Sequence, residues 1–252
     1  MCALEGGNRI IASTHGPRLS VIVPTLDAAD SIRRLLADLR GLRLSHQVIV
    51  VDGGSADATC EAARQLGALV LTAPRGRGSQ LRAGADAATA PLLCFLHADV
   101  RLDPPALRHI ERIAELGPPG AYAFRLAIDR PGAAYRLVEC GANLRSAWGR
   151  LPYGDQGLLV RRADYDAAGG YPALPIMEDV ALVRALRRVA QVRLLPCAVR
   201  VSARRWERDG VLRRTLSNWR LLAAYLLGTP VERLARHYRP SRDERPDLDP
   251  GS

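Results

Sequence analysis

The sequence predicts an α/β protein with a mainly parallel central sheet and helices on both of its faces. Three observations carry that expectation. Between residues 19 and 117, short runs rich in Val, Ile and Leu alternate four times with helix-patterned stretches. The runs are apolar at consecutive positions rather than at every second one, as in strands buried on both sides. Finally, 252 residues at 48% hydrophobic and 25% charged can build one core, as one domain or one domain plus a small annex.

Taken in order, LSVIVPT (19–25) reads as the first strand. Ala28–Arg40 follows as a helix, with Ile32, Leu35, Leu36 and Leu39 at helical spacing. HQVIVVDGGS (46–55) is the second strand and Ala56–Leu66 the second helix; ALVLTA (68–73) and Ser79–Ala88 repeat the pattern. PLLCFLHAD (91–99) and the helix Pro104–Leu116 complete the alternating half. Beyond residue 117 the pattern loosens. Strands are expected at 121–129 and 157–163, with a helix at Ala133–Trp148 between them. A helix at Glu178–Val189, one or two strands within 192–203, a long helix at Arg208–Leu227 and a short one at Val231–His237 finish the chain. The polar, Pro/Gly-punctuated ends, 1–18 and 240–252, are expected to be loose.

Composition excludes several classes. No apolar run approaches the ~18 residues that a membrane span requires. The first twenty residues lack the apolar core of a secretory signal. Five scattered cysteines without a C-x-x-C pair point to reduced thiols, a cytoplasmic setting and no zinc site. The net charge is +10, and every one of the 36 basic residues is arginine. The excess is concentrated: residues 184–242 hold 15 arginines against 3 acids, whereas residues 1–183 hold 20 against 19. Such a segment suits an anionic membrane, a phosphorylated ligand or nucleic acid.

Ligands of open α/β sheets bind at the carboxyl ends of the strands. Pro24 and Thr25 end the first strand, Asp52 the second, and His97 and Asp99 the fourth. Asp52 has two readings: a polar contact at the rim, or the start of a turn with Gly53, Gly54 and Ser55. His97 and Asp99, two apart, leave the same face if the segment is extended. A carboxylate beside an imidazole there suits Mg²⁺ or Mn²⁺ that also holds phosphate oxygens; a buried His and a loop Asp are the plain alternative.

Six segments, read together, resemble the family 2 glycosyltransferases: VIVPTLDAADSIRRLLADL, VIVVDGGSADAT, PRGRGSQLRAGADAA, LLCFLHAD, YGDQGLLVRR and MEDVALVRAL. They cover roughly residues 19–206 in the family's order. The resemblance implies the GT-A fold, a nucleotide-sugar donor, Mg²⁺ or Mn²⁺, and inversion at the anomeric carbon. It implies that Pro24, Thr25, Asp52, Arg77 and His97 serve the nucleotide and that Asp99 holds the metal as the last residue of a D-x-D motif, here begun by His97. The family's Asn-Glu after the first strand is replaced by Asp27-Ala28. Glu178-Asp179 matches the family's E-D motif, making Asp179 the catalytic base and Glu178 the next candidate. Gly154, Asp155 and Gln156 match an acceptor-side segment. Arg205 and Trp206 match the second half of Q-x-x-R-W, with Ser202 at the Gln position. FLHAD, PYGDQG and SARRWERDGV further resemble a small bacterial branch linked to arsenosugar biosynthesis.

The expected activity is transfer of a sugar from a nucleoside diphosphate, with UDP the expected carrier, to a small-molecule or lipid-linked hydroxyl acceptor. The competing readings are a nucleotidyltransferase and a basic nucleic-acid or membrane-binding module. The former lacks its Gly-rich, basic loop after the first strand. A nucleic-acid partner is not expected, since aromatics for base stacking make up 5% of the chain. The expected organisation is a transferase domain at 19–206, with a nucleotide half at 19–117 and an acceptor half at 118–206, followed by basic helices at 207–239. Within 208–227, Leu212, Leu216, Trp219, Leu222 and Leu226 form an apolar stripe interspersed with Arg213, Arg214 and Arg220. Packing of that stripe on the sheet is the favoured reading, and peripheral attachment at the inner face of the membrane the second.

Overall fold

The computed structural model describes residues 16–237, and of Arg205 and His237 only the backbone. The expected loose ends lie outside the described residues, apart from residues 16–18. Among the described residues, eight strands form one sheet in the order β3-β2-β1-β4-β7-β6-β8-β5. The parallel part holds β1 (Leu19–Thr25), β2 (His46–Asp52), β3 (Leu69–Thr72) and β4 (Leu92–Phe95). The remainder is mixed. It holds β5 (Val100–Leu102), β6 (Ala121–Ile128), β7 (Leu158–Arg161) and β8 (Val192–Val201). β6 and β8 run parallel, while β7 is antiparallel to β4 and β6, and β5 to β8.

Alternating side chains of the strands feed two cores. Leu19, Val21 and Val23 face a core shared with α1 (Ala29–Leu39), α2 (Thr59–Gln65) and α4 (Pro104–Leu116). Ile22 points the other way, with Ile49, Val51 and Phe95, towards α3 (Arg77–Ala87) and α7 (Glu178–Val189). The helix termini follow local chemistry. Asp103 caps α4 by accepting the Ala106 amide at 3.1 Å, prolines open its first turn, and Gly117 closes it at φ 55°. α1 has no such cap of its own. Its first amides, on Ala28 and Ala29, donate to Thr59 Oγ1 at the start of α2 at 2.8 Å and to Asp57 Oδ2 in the β2–α2 loop at 3.1 Å.

α5 (Ala133–Trp148) packs Ala142, Tyr135 and Val138 on the core and is also pinned to β6 by polar side chains. Asn143 accepts from the Leu126 amide at 2.8 Å and donates back to its carbonyl at 3.1 Å, and Glu139 accepts from the Ile128 amide. The short α6 (Arg162–Ala167) and the strand β5 fall outside the expected elements; both are too brief for a periodic signal. The region 192–203 is a single strand, β8. The long helix expected at 208–227 divides at Gly210 (φ 81°) into α8 (Arg204–Asp209) and α9 (Val211–Leu226), with α10 (Val231–His237) after it. The stripe on α9 does not pack on the sheet. Leu222 alone of its five members is buried, while Leu212, Leu216, Trp219 and Leu226 are exposed.

Candidate active site

The carboxyl ends of β1 and β4, the start of α3 and α7, and the C-terminal helices enclose two adjoining cavities. The larger, ≈ 890 Å³, is walled by Pro24, Thr25, Asp27, Arg34, Gln80 and several further arginines. That volume lies in the range of small-molecule sites. The smaller, ≈ 120 Å³, is walled by Tyr153, Asp155, Met177, Asp179, Trp206 and Arg214. Arg77, His97, Asp99 and Ser202 line both and so form the partition between them.

The wall at the end of β1 is rigid because two loops brace each other. Asp27 (φ 47°) accepts the Ala56 amide at 2.7 Å, and its own amide donates to Ser55 Oγ at 2.9 Å. Asp52 is buried and its carboxylate is spent within the turn. Oδ2 accepts the amides of Gly54 and Ser55 at 2.9 and 2.8 Å, and Oδ1 accepts the hydroxyls of Thr25 and Ser55. Burial raises its pKa, but these donors outweigh burial and hold the carboxyl below its ordinary value. Asp52 is not among the residues lining either cavity, and its hydrogen bonds in this structure are those of the turn. Gln80 does line the larger cavity. Its amide donates to the carbonyls of Thr25 and Val51 at 2.9 and 2.8 Å, fastening α3 to both strand ends.

His97 and Asp99 reach the partition by a different route from the extended segment expected. β4 stops at Phe95, and the Val100 amide donates to the His97 carbonyl at 3.2 Å, closing a turn. Among the described residues no cluster of three or more His, Cys, Asp and Glu is placed to hold a metal. The turn itself offers one carboxylate and one imidazole, with Asp155 and Asp179 on the wall of the adjoining smaller cavity. The His97–Asp99 pair fits a divalent ion that draws its other ligands from phosphate oxygens and water.

Glu178 and Asp179 open α7 with opposite fates. Glu178, 2% exposed, pairs with Arg77 Nε at 3.0 Å and lines neither cavity. Asp179 faces the smaller cavity, where its Oδ2 accepts the Gly154 amide at 2.8 Å. The helix starts from Met177 at φ 62°, a left-handed conformation that costs a non-glycine residue energy and sits at the cavity wall. Gly154 lies close against His97: a Cβ there would sit 2.8 Å from His97 Nε2, so a larger residue would push the imidazole aside.

The G-D-Q segment is a single 3₁₀ turn, Gly154–Gln156. Gln156 does not reach a ligand: it is fully buried, accepts from Ser146 Oγ at 2.6 Å and donates to the Phe124 carbonyl at 3.0 Å. Where the motif likeness places it on the acceptor side, both ends of its amide here hold the turn. Tyr153, missed by the sequence reading, is stacked under the Arg145 guanidinium at 3.5 Å, and burial pushes its hydroxyl up to about 12. Trp206 is buried, and its indole Nε1 has no hydrogen-bond partner among the described residues. The Arg205 side chain lies outside the described residues. Arg214, Asn218 and Leu221 of α9 also line the smaller cavity. Their spacing of four and three was the available signal, hidden beside the more apolar stripe. Arg214 pairs with Asp209 at 2.6 Å, and the hydrogen bonds from Arg208 and then Arg214, with their charges, hold the Asp209 carboxyl at about 2.

Comparison with known proteins agrees with this architecture. A family model, glycosyl transferase family 2, matches residues 20–171. An uncharacterized glycosyltransferase of Mycobacterium tuberculosis is 35% identical over 89 residues, 35% of this chain and 39% of that protein. Glycosyltransferase AglJ of Haloferax volcanii is 32% identical over 124 residues, 48% of this chain and 40% of that protein. The chain thus matches less than half the length of these curated relatives. Among solved structures, a mannosyltransferase from Pyrobaculum calidifontis in complex with GDP-Man and Mn²⁺ superposes with a TM-score of 0.59 at 19% identity, covering 91% of this chain and 67% of that one. TarS from S. aureus in complex with UDP-GlcNAc gives 0.57 at 18%, covering 73% and 58%. At such identities the likeness is one of fold.

Proposed function

Since the chain belongs to glycosyl transferase family 2, we propose that it is an inverting, metal-dependent transferase moving a sugar from a nucleoside-diphosphate sugar to a hydroxyl acceptor. The observation that carries this reading is the partition of Arg77, His97 and Asp99 between two chambers, with Asp179 in the smaller one alone. The larger chamber has room for a nucleoside, with Pro24, Thr25 and Asp27 on its wall and Gln80 behind them. Arg77 and Arg75 stand where a diphosphate would lie. Asp99 and His97 would hold Mg²⁺ or Mn²⁺ on that diphosphate, and the ion when bound supplies Lewis-acid neutralisation of the leaving group.

Asp179 accepts the proton of the acceptor hydroxyl as that oxygen bonds the anomeric carbon. The bond from that carbon to the diphosphate oxygen breaks, its electron pair leaving with the nucleoside diphosphate. The Gly154 amide holds one carboxylate oxygen in place, and the Arg77–Glu178 pair fixes the start of α7 beneath it. Tyr153, Trp206 and Asp155 flank the acceptor; the unpartnered Trp206 N–H is a donor for an acceptor oxygen. UDP is the nucleotide assigned by the motif likeness, and the arsenosugar-linked branch rests on FLHAD, PYGDQG and SARRWERDGV alone.

Isothermal titration of UDP and GDP with Mn²⁺, run beside an assay of released nucleoside diphosphate, tests the assignment. Asp99→Ala loses metal-dependent nucleotide binding and turnover together. Asp179→Asn keeps nucleotide binding while turnover falls by a factor on the order of 10²–10⁴, the range for a removed base. Pyrophosphate as the product would identify nucleotidyl transfer instead. Equal loss of binding in both variants would move Asp179 to the donor site.

A further inference from the structure

We propose that the outward faces of α5 and α9 form a docking surface for an anionic lipid bilayer. On α9, Leu212, Leu216, Trp219 and Leu226 are 73, 62, 47 and 48% exposed and recur at helical spacing with the exposed Ala223. Beside α9 in the fold, α5 repeats the arrangement: Leu137 and Trp148 are 71 and 84% exposed, on one stripe with Leu144. Neither stripe has a partner among the described residues, and apolar area gathered on neighbouring helices marks an interaction surface rather than scattered surface leucines.

The inner faces account for the other side of each helix. Glu139 and Asn143 fasten α5 to β6. Arg214, Asn218 and Leu221 of α9 line the smaller cavity. At ~100° per residue those three lie on the side of α9 opposite Leu212, Leu216 and Trp219. One helix therefore presents one face to the candidate site and the other to the outside.

The chemistry of the surface selects a bilayer. Arg213 and Arg220 are exposed beside the α9 stripe. They belong to the segment 184–242, with its 15 arginines and 3 acids. Apolar residues with indoles and flanking arginines are the composition of a helix lying in the headgroup region of an anionic membrane. A two-fold pairing with a second copy would instead press two basic faces together. Spanning is not involved: α9 has 16 residues, and no described helix is long and apolar enough to cross a membrane.

The test is flotation of the full chain with vesicles of phosphatidylcholine alone or mixed with phosphatidylglycerol. It needs no substrate, so its outcome is independent of the transferase reading. The wild type is expected to float with the mixed vesicles and not with the neutral ones. Arg213→Glu with Arg220→Glu should lower the bound fraction's partition coefficient about tenfold or more, given the attraction of each basic residue to an anionic surface. Leu212→Ser, Leu216→Ser and Trp219→Ser together should abolish flotation, with thermal melting confirming that each variant is folded; should the triple variant unfold, the arginine pair decides. Absence of wild-type flotation, equal flotation with neutral vesicles, or retained flotation in the folded variants would overturn the proposal. So would a wild-type dimer in sedimentation that the serine variants dissociate, which would make a second copy the occupant.

Discussion

Both carboxylate oxygens of Asp52 are committed to donors in its own turn, and that commitment has a pH signature. The folded-state pKa lies below the ordinary value. Its contribution to stability is therefore complete above the unfolded value, about 4, and is lost as pH falls through the native one. Asp52→Asn should cost about 1–3 kcal/mol at neutral pH, because buried donors lose a charged acceptor. The variant's stability should also decline less steeply in acid; urea unfolding of both proteins across that range measures it. The sequence had left Asp52 between a ligand contact and a turn, and no periodicity could separate them. The choice depends on Thr25 and Ser55 reaching the carboxylate, and Thr25 lies on another strand. Gln156 shows the same limit. Its neighbours Ser146 and Phe124 are distant in sequence, so only packing reveals that its amide is structural.

At the scale of elements, α3 walls the larger chamber with Arg77 and Gln80 and is fastened to the ends of β1 and β2. Gly84 lets it lie directly on the sheet: a Cβ there would meet Ile22 Cγ2 well inside contact distance and Val51 Cγ2 at 2.9 Å. Gly84→Ala should destabilise the protein by about 1–3 kcal/mol despite alanine's better helix propensity, since buried β-branched side chains have no room to yield. The expected result is a lower urea midpoint at an unchanged slope. The four alternating strands were legible as consecutive apolar runs, and the helices between them by their spacing and turn residues. Pro104–Leu116 was legible to the residue, as Asp103, two prolines and Gly117 mark both ends. β5, α6 and the division at Gly210 were not, since three to six residues carry no helical period and Gly210 lies just ahead of the apolar stripe, between two helix-patterned segments.

For the whole molecule, the two chambers meet only where elements from both halves converge, and a ligand spanning them should hold those halves together. A nucleoside diphosphate with Mn²⁺ at a hundredfold excess over its dissociation constant should raise the melting temperature by about 5–10 °C. A scanning fluorimetry titration, with each component alone as control, checks it. The site's general location was legible from the strand ends, as Pro24, Thr25, His97 and Asp99 all reach the cavities. Its C-terminal wall was not, because Arg214 and Asn218 are polar residues of a helix whose fate depends on how it docks. The sheet's outer margins add one consequence for how copies of this chain behave in concentrated solution. Its edge strands are only four and three residues long, β3 and β5, and Pro74 follows β3 two residues on, where it offers no amide. Such edges are poor templates for a neighbouring chain to extend. Self-association of the folded protein should therefore be side-chain driven, dispersed by mild detergent, and free of the cross-strand growth that turns open sheets into fibrils.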